Sequence, residues 1–173
     1  MSRSTFLRFM SLSGIFASIL QIIGCFLPFT IWRDGLNQTT SSADSLWMSM
    51  IHSITRPITP FMFFDAMQFV LICLFPFSIL IPLLISIDGL FGKQQRSFLR
   101  RGLVFALLGL LEVGIFAFFN FIFEGWCAPE AMSAADCDLI FPGMGFWLTS
   151  CGFLLLVGCF IVSNVLYREP VHG

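Results

Sequence analysis

Four apolar runs decide what this chain can become. They cover residues 9–32, a stretch within 60–87 whose core begins at Ala66, 102–123 and 144–166. A helix crosses the hydrocarbon layer in about 20 residues at ~1.5 Å rise per residue, and each run reaches that length. A soluble fold has no place for them. Hydrophobic residues make up 57% of the 173 and charged residues only 11%, against about 25% charged in a soluble domain. A chain this short also leaves a large share of its surface exposed. Phenylalanine, which has no polar atom, occurs 23 times and tyrosine once, a usage that suits contact with lipid. The expected fold is an all-α integral membrane protein. It is one domain over 1–173, a four-transmembrane-helix bundle with spans near 9–32, 63–87, 102–123 and 144–166, and its first partner is the lipid bilayer. A net charge of −1, with no basic patch interleaved with exposed aromatics, gives no reason to expect nucleic acid.

Lysine and arginine in the short connections set the orientation. Arg3 and Arg8, the 88–101 loop (Lys93, Arg96, Arg100, Arg101) and Arg168 in the tail hold seven of the nine basic residues. Residues 33–60 hold Arg33 and Arg56. Residues 124–143 hold none, but carry Glu124, Glu130, Asp136 and Asp138. Both termini and the 88–101 loop are therefore expected in the cytoplasm, with 33–60 and 124–143 outside. That describes a multi-pass protein of the cytoplasmic (inner) or plasma membrane. Trp32, Trp126 and Trp147 fall near span ends, where indole rings favour the interface. The opening MSRSTFLR and FMSLSGIFASIL have the form of a signal's charged and apolar regions, and IIGC at 22–25 resembles a bacterial lipoprotein cleavage box. Because the run stays apolar past Cys25 through FLPFTIW, an intact first helix is the expectation.

The outer face carries two features. Cys127 and Cys137 lie in the acidic loop, whereas Cys25, Cys73, Cys151 and Cys159 lie in spans. A loop that faces an oxidising compartment is expected to bridge Cys127 to Cys137, which gives up to about 3 kcal/mol in the chain-entropy picture. The length and topology resemble four-helix enzymes that reoxidise disulfide catalysts with quinone. Those enzymes need a second outward thiol pair, and residues 33–59 contain no cysteine. In that longer loop Leu46, Trp47, Met50, Ile51 and Ile54 trace one face of a short helix over 43–54, with Ser42 as its N-cap. Too short to span, it is expected to lie on the outer leaflet as an interfacial helix. His52 falls on its polar side, and the triplet Asn37, Gln38, Thr39 has the form of a glycosylation sequon. A longer first outer loop, a shorter second one and inward termini resemble the plan of animal claudins and related tetraspan proteins. Their W-G-L-W-C-C signature is absent here, as is the C-C-G of tetraspanins, so the resemblance is one of topology and assigns no family.

Small and polar residues mark the inner seam. The first span has Ser11, Gly14, Ser18, Gln21, Cys25 and Pro28 at spacings of three and four. Gly102, Ala106 and Gly109 mark the third. Gly145, Gly152 and Cys159 recur in the fourth, with Thr149 and Ser163 on the same seam and Phe153 off it. Helices in lipid associate by close contact, so small residues mark the touching faces. A spacing near 3.5 predicts left-handed crossings of roughly +20°. Pro76 and Pro82 are expected to kink the second helix or break its hydrogen-bond ladder.

One acid stands out in this frame. LLGLLEVGIFAFFN, at 107–120, places Glu112 near the middle of the third span, about 60° from the small face at 3.6 residues per turn. No lysine, arginine or histidine falls within a span core to neutralise it. The expectation is a protonated acid, hydrogen-bonded to Gln21 at the same depth or to a backbone carbonyl. Gln68 and Asn120 are expected to form a second polar layer nearer the outside. An intramembrane acid is by default a candidate functional site. Proton- or cation-coupled movement is one reading. A structural hydrogen bond within a subunit of a larger membrane complex, or within a homo-oligomer, is the other and the preferred one. No catalytic motif is present: neither G-x-S-x-G, nor H-E-x-x-H, nor a P-loop. His52 and His172 fall on opposite sides of the membrane, so no metal and no cofactor are expected.

Overall fold

A computed structural model describes residues 3–33, 40–48, 62–91, 96–118 and 139–168. The elements run α1 (Arg3–Phe26), β1 (Pro28–Arg33), β2 (Thr40–Ser45), α2 (Met62–Leu90), α3 (Arg96–Ala117), β3 (Leu139–Pro142) and α4 (Met144–Arg168). Among the described residues three stretches are long and apolar enough to cross a membrane: Thr5–Phe26, Cys73–Leu90 and Met144–Val165. The chain is thus mostly helical with membrane-spanning character. α3 opens on Arg96, Arg100 and Arg101, and the far end of the run expected there, 119–123, lies outside the described residues.

The all-α expectation needs correcting, because a three-stranded antiparallel sheet of order β2-β1-β3 is present. The first span was expected to reach residue 32, but α1 stops at Phe26. Its last helical bond runs from Leu27 N–H to the Ile23 carbonyl at 3.3 Å. Pro28 has no N–H to continue the ladder, and it pushes the preceding residue away from helical angles. Phe29, Thr30 and Ile31 then favour extended backbone. In the sheet Ile31 stands opposite Ala43 on one side and Phe141 on the other. The β1–β3 pairing ties the segment after α1 to the segment before α4, so these two connections lie at the same end.

The interfacial helix expected over 43–54 is also corrected. Ala43, Asp44 and Ser45 belong to β2, because their backbone pairs with β1. Helical turns begin at Leu46, and Met48 N–H donates to Ser45 Oγ at 3.4 Å. The cap is therefore Ser45, not Ser42. Residues 49–54 lie outside the described residues.

The chain divides into two compact units. The first comprises Met1–Ile22, Leu74–Leu111 and Ser150–Gly173. Here α1 and α4 meet antiparallel: Gly14 abuts Leu156, and Gly152 abuts Gln21 and the Ala17 carbonyl. Gly14 also abuts Ser86 of α2. On α3, Gly102 lies under the ring of Phe160 and Gly109 under the ring of Phe153. Both pairs step by seven residues, so two rings on α4 enter two glycine holes on α3. Phe75 meets the Phe153 ring edge-on at 6.0 Å. No break occurs at the prolines: α2 runs through Pro76 and Pro82 as one helix, although each removes one ladder bond. Helical turns on both sides hold it together, and Pro82 is itself fully buried.

The second unit comprises Ile23–Cys73 and Glu112–Thr149 and contains the whole sheet. Its centre is Phe29, which is fully buried. The ring meets Phe116 of α3 at 5.2 Å and Phe146 of α4 at 5.5 Å, both edge-on at 82°. Gly143 N–H donates to the Phe29 carbonyl at 2.9 Å. A Cβ on Gly145 would lie 2.7 Å from the Leu27 carbonyl oxygen and 3.0 Å from that of Pro28. Only glycine allows the start of α4 to approach the end of α1 so closely.

Candidate functional site

Of the polar residues singled out in the spans, Gln21 and Glu112 rest on buried helix stripes. On α3, Leu99, Gly102, Ala106, Gly109 and Val113 are buried at steps of three and four, while Val104, Leu107 and Leu111 are exposed. Glu112 adjoins Val113 on that stripe and is 3% exposed, so the acid is turned to protein rather than lipid. Helical periodicity sets its neighbours along α3. Three residues before it Gly109 receives the Phe153 ring, and four residues after it Phe116 packs on Phe29.

On α1 the buried positions are Ser11, Gly14, Ala17, Ser18, Gln21, Gly24 and Cys25. The serines look after themselves. Ser11 Oγ donates to the Leu7 carbonyl and Ser18 Oγ to the Gly14 carbonyl, each at 3.0 Å. Gln21 does not. It is 0% exposed, and neither Nε2 nor Oε1 has a hydrogen-bond partner among the described residues. The hydrogen bond expected between Glu112 and Gln21 is therefore not one that this amide makes. A glutamine on α1 can reach only what stands opposite it, and what stands opposite is the bare backbone at Gly152.

α4 supplies the third stripe: Gly145, Thr149, Gly152, Phe153, Leu156, Phe160 and Ser163 are buried. Thr149 lies against Gly24. Gly145 and Gly152 stand at close backbone approaches, whereas Cys159 is only half-buried. The placement of Phe153 off the seam is corrected. It is fully buried, because the gap above Gly109 takes a whole ring. Phe153 and Phe160 were missed as core residues, although one signal in the sequence could have found them. Gly102 and Gly109 are seven apart, and holes so spaced call for large side chains seven apart on a partner helix.

Several positions give no geometry. Gln68 belongs to α2, but its side chain lies outside the described residues, as do Asn120, Cys127 and Cys137. Among the described residues no three His, Cys, Asp or Glu side chains gather as a metal ion would require. The described polar groups can hold hydrogen bonds between helices, and one acid among them can carry a proton. No protein-family model, no curated protein and no solved structure gives a significant match to this chain.

Proposed function

We propose that this protein is a non-catalytic, four-span membrane protein serving as an accessory or assembly subunit of a larger membrane complex. The observation that carries the reading is the way its glycine holes are filled. In the first unit Gly102 and Gly109 are capped by phenylalanine rings, Gly14 by Ser86 and Gly152 by Gln21. Close contact of this kind fixes helix register. The apolar side chains on the outer faces, among them Phe16, Leu84, Val104 and Leu154, suit lipid or the helices of another subunit.

In this reading α3, continued through 119–123, is the third of four spans. Arginine and lysine bias holds both termini and the 88–101 loop in the cytoplasm. The sheet and the 124–143 loop, bridged by Cys127 and Cys137, form the outer face of a cell-membrane protein. Glu112 stays protonated and contributes a hydrogen bond that sets register, while Gln68 and Asn120 add a polar layer nearer the outside.

A second reading, a small proton- or cation-coupled transporter or channel, is favoured by one observation, the burial of the Glu112 carboxyl within α3. The variant Glu112→Gln separates the two, because an amide keeps the shape and donates a hydrogen bond but cannot titrate. Scored separately for assembly and for ion flux or growth, it should assemble and function nearly as the parent does. Normal assembly with lost function would favour transport and overturn the subunit role.

A further inference from the structure

We infer that the Gln21 amide binds a water molecule inside the seam where α1 packs on α4. The inference does not rest on the subunit reading. A primary amide offers two N–H donors and an acceptor oxygen with two lone pairs. Here it is fully buried, and both polar ends lack a protein partner among the described residues. The Ser18 hydroxyl donates to the Gly14 carbonyl at 3.0 Å, and the residue facing Gln21 is a glycine, which brings no side chain.

The stem of Gln21 is held at that glycine. A Cβ on Gly152 would lie 2.5 Å from Gln21 Cγ and 2.8 Å from the Ala17 carbonyl oxygen. The seam therefore reserves room for this side chain, where leucine or methionine would fill the same room without a polar group to satisfy. Lipid cannot supply the missing bonds. A cation is a poor occupant, because hard cations take about six oxygen ligands and the amide provides one. The occupant must donate and accept, and it must be small enough for a closed helix–helix contact. Water meets these conditions, and buried waters characteristically join polar groups that protein leaves unpaired.

The test uses the full chain, uniformly 15N-labelled, in lipid nanodiscs. Magnetisation transfer from water is measured at the Gln21 side-chain NH2, identified by its loss in Gln21→Met. Transfer well above that of the Leu156 backbone amide, which is buried in the same seam, is the expected result. Transfer no greater than at Leu156 would overturn the proposal. The variant gives a second reading. Methionine removes the amide and its water together, so the unfolding equilibrium should change by less than about fivefold. Stabilisation of about tenfold or more would show that the native amide was bare. Destabilisation of that size would show that it was bonded to protein. Either result contradicts a water site.

Discussion

Phe153 and Gly109 form a pair whose coupling follows from their geometry. The Phe153 ring fills the space where a Cβ on Gly109 would stand, and its Cδ1 would be 2.9 Å from that atom. Gly109→Ala therefore drives a methyl into an aromatic ring, an overpacking that costs about 1–3 kcal/mol. Phe153→Ala does the reverse. At about 24 cal/mol per Å3, a void of roughly 100 Å3 costs about 2.4 kcal/mol. Loss of the edge-on contact with Phe75, at 6.0 Å and 73°, adds about 0.5–1.5 kcal/mol. The single variant should lose about 3–4 kcal/mol in all. In the double variant the alanine methyl no longer meets a ring and partly fills the void. Its loss should therefore fall short of the sum of the singles by about 1–2 kcal/mol, a coupling within the range seen for residues in contact. Reversible unfolding in mixed micelles, followed by tryptophan fluorescence, reads all four corners of the cycle. Strict additivity would mean that Phe153 does not occupy the Gly109 hole. It would return Phe153 to a place off the seam, where the sequence put it.

The remaining predictions concern the seam, the aromatic cluster and the outer loop. Gly152→Leu should prevent native packing of α4 on α1, as read by loss of the monodisperse species in gel filtration. Cys159→Leu, at a half-buried position, should be tolerated; equal damage would put Cys159 in the contact. Phe29→Ala should remove both edge-on contacts, with Phe116 and Phe146, and lower stability by about 3–5 kcal/mol; a loss under about 1 kcal/mol would show that this ring is not a core element. Maleimide labelling without reductant should miss Cys127 and Cys137 in intact membranes, and ready labelling of either would remove the proposed disulfide.

Class was legible in the sequence because it depends on sums. Apolar runs of sufficient length and a low charge content need no knowledge of which side chain meets which. The buried stripes were legible as well, since glycine and serine at steps of three and four have a direct packing meaning on α1, α3 and α4. Other features were harder to see. Phe29–Ile31 continue the apolar run of α1, and hydropathy does not separate a buried strand from a helix; the cue was Pro28. The β2 sequence TSSADS has no strand character of its own and pairs because β1 offers it an edge. Burial of Phe153 was hidden for another reason. A phenylalanine on a membrane helix reads as lipid-facing until the glycine opposite it is known. Depth along two helices does not fix which residues face each other, so the sequence left the partner of Glu112 open between Gln21 and a backbone carbonyl; the Gln21 amide has no partner among the described residues.

The subunit role is tested most directly by mass. Extraction of the tagged chain from its native membrane in a mild detergent, followed by native mass measurement, should recover it with a different polypeptide at fixed stoichiometry. Recovery of the chain alone, or only with copies of itself, would contradict the account.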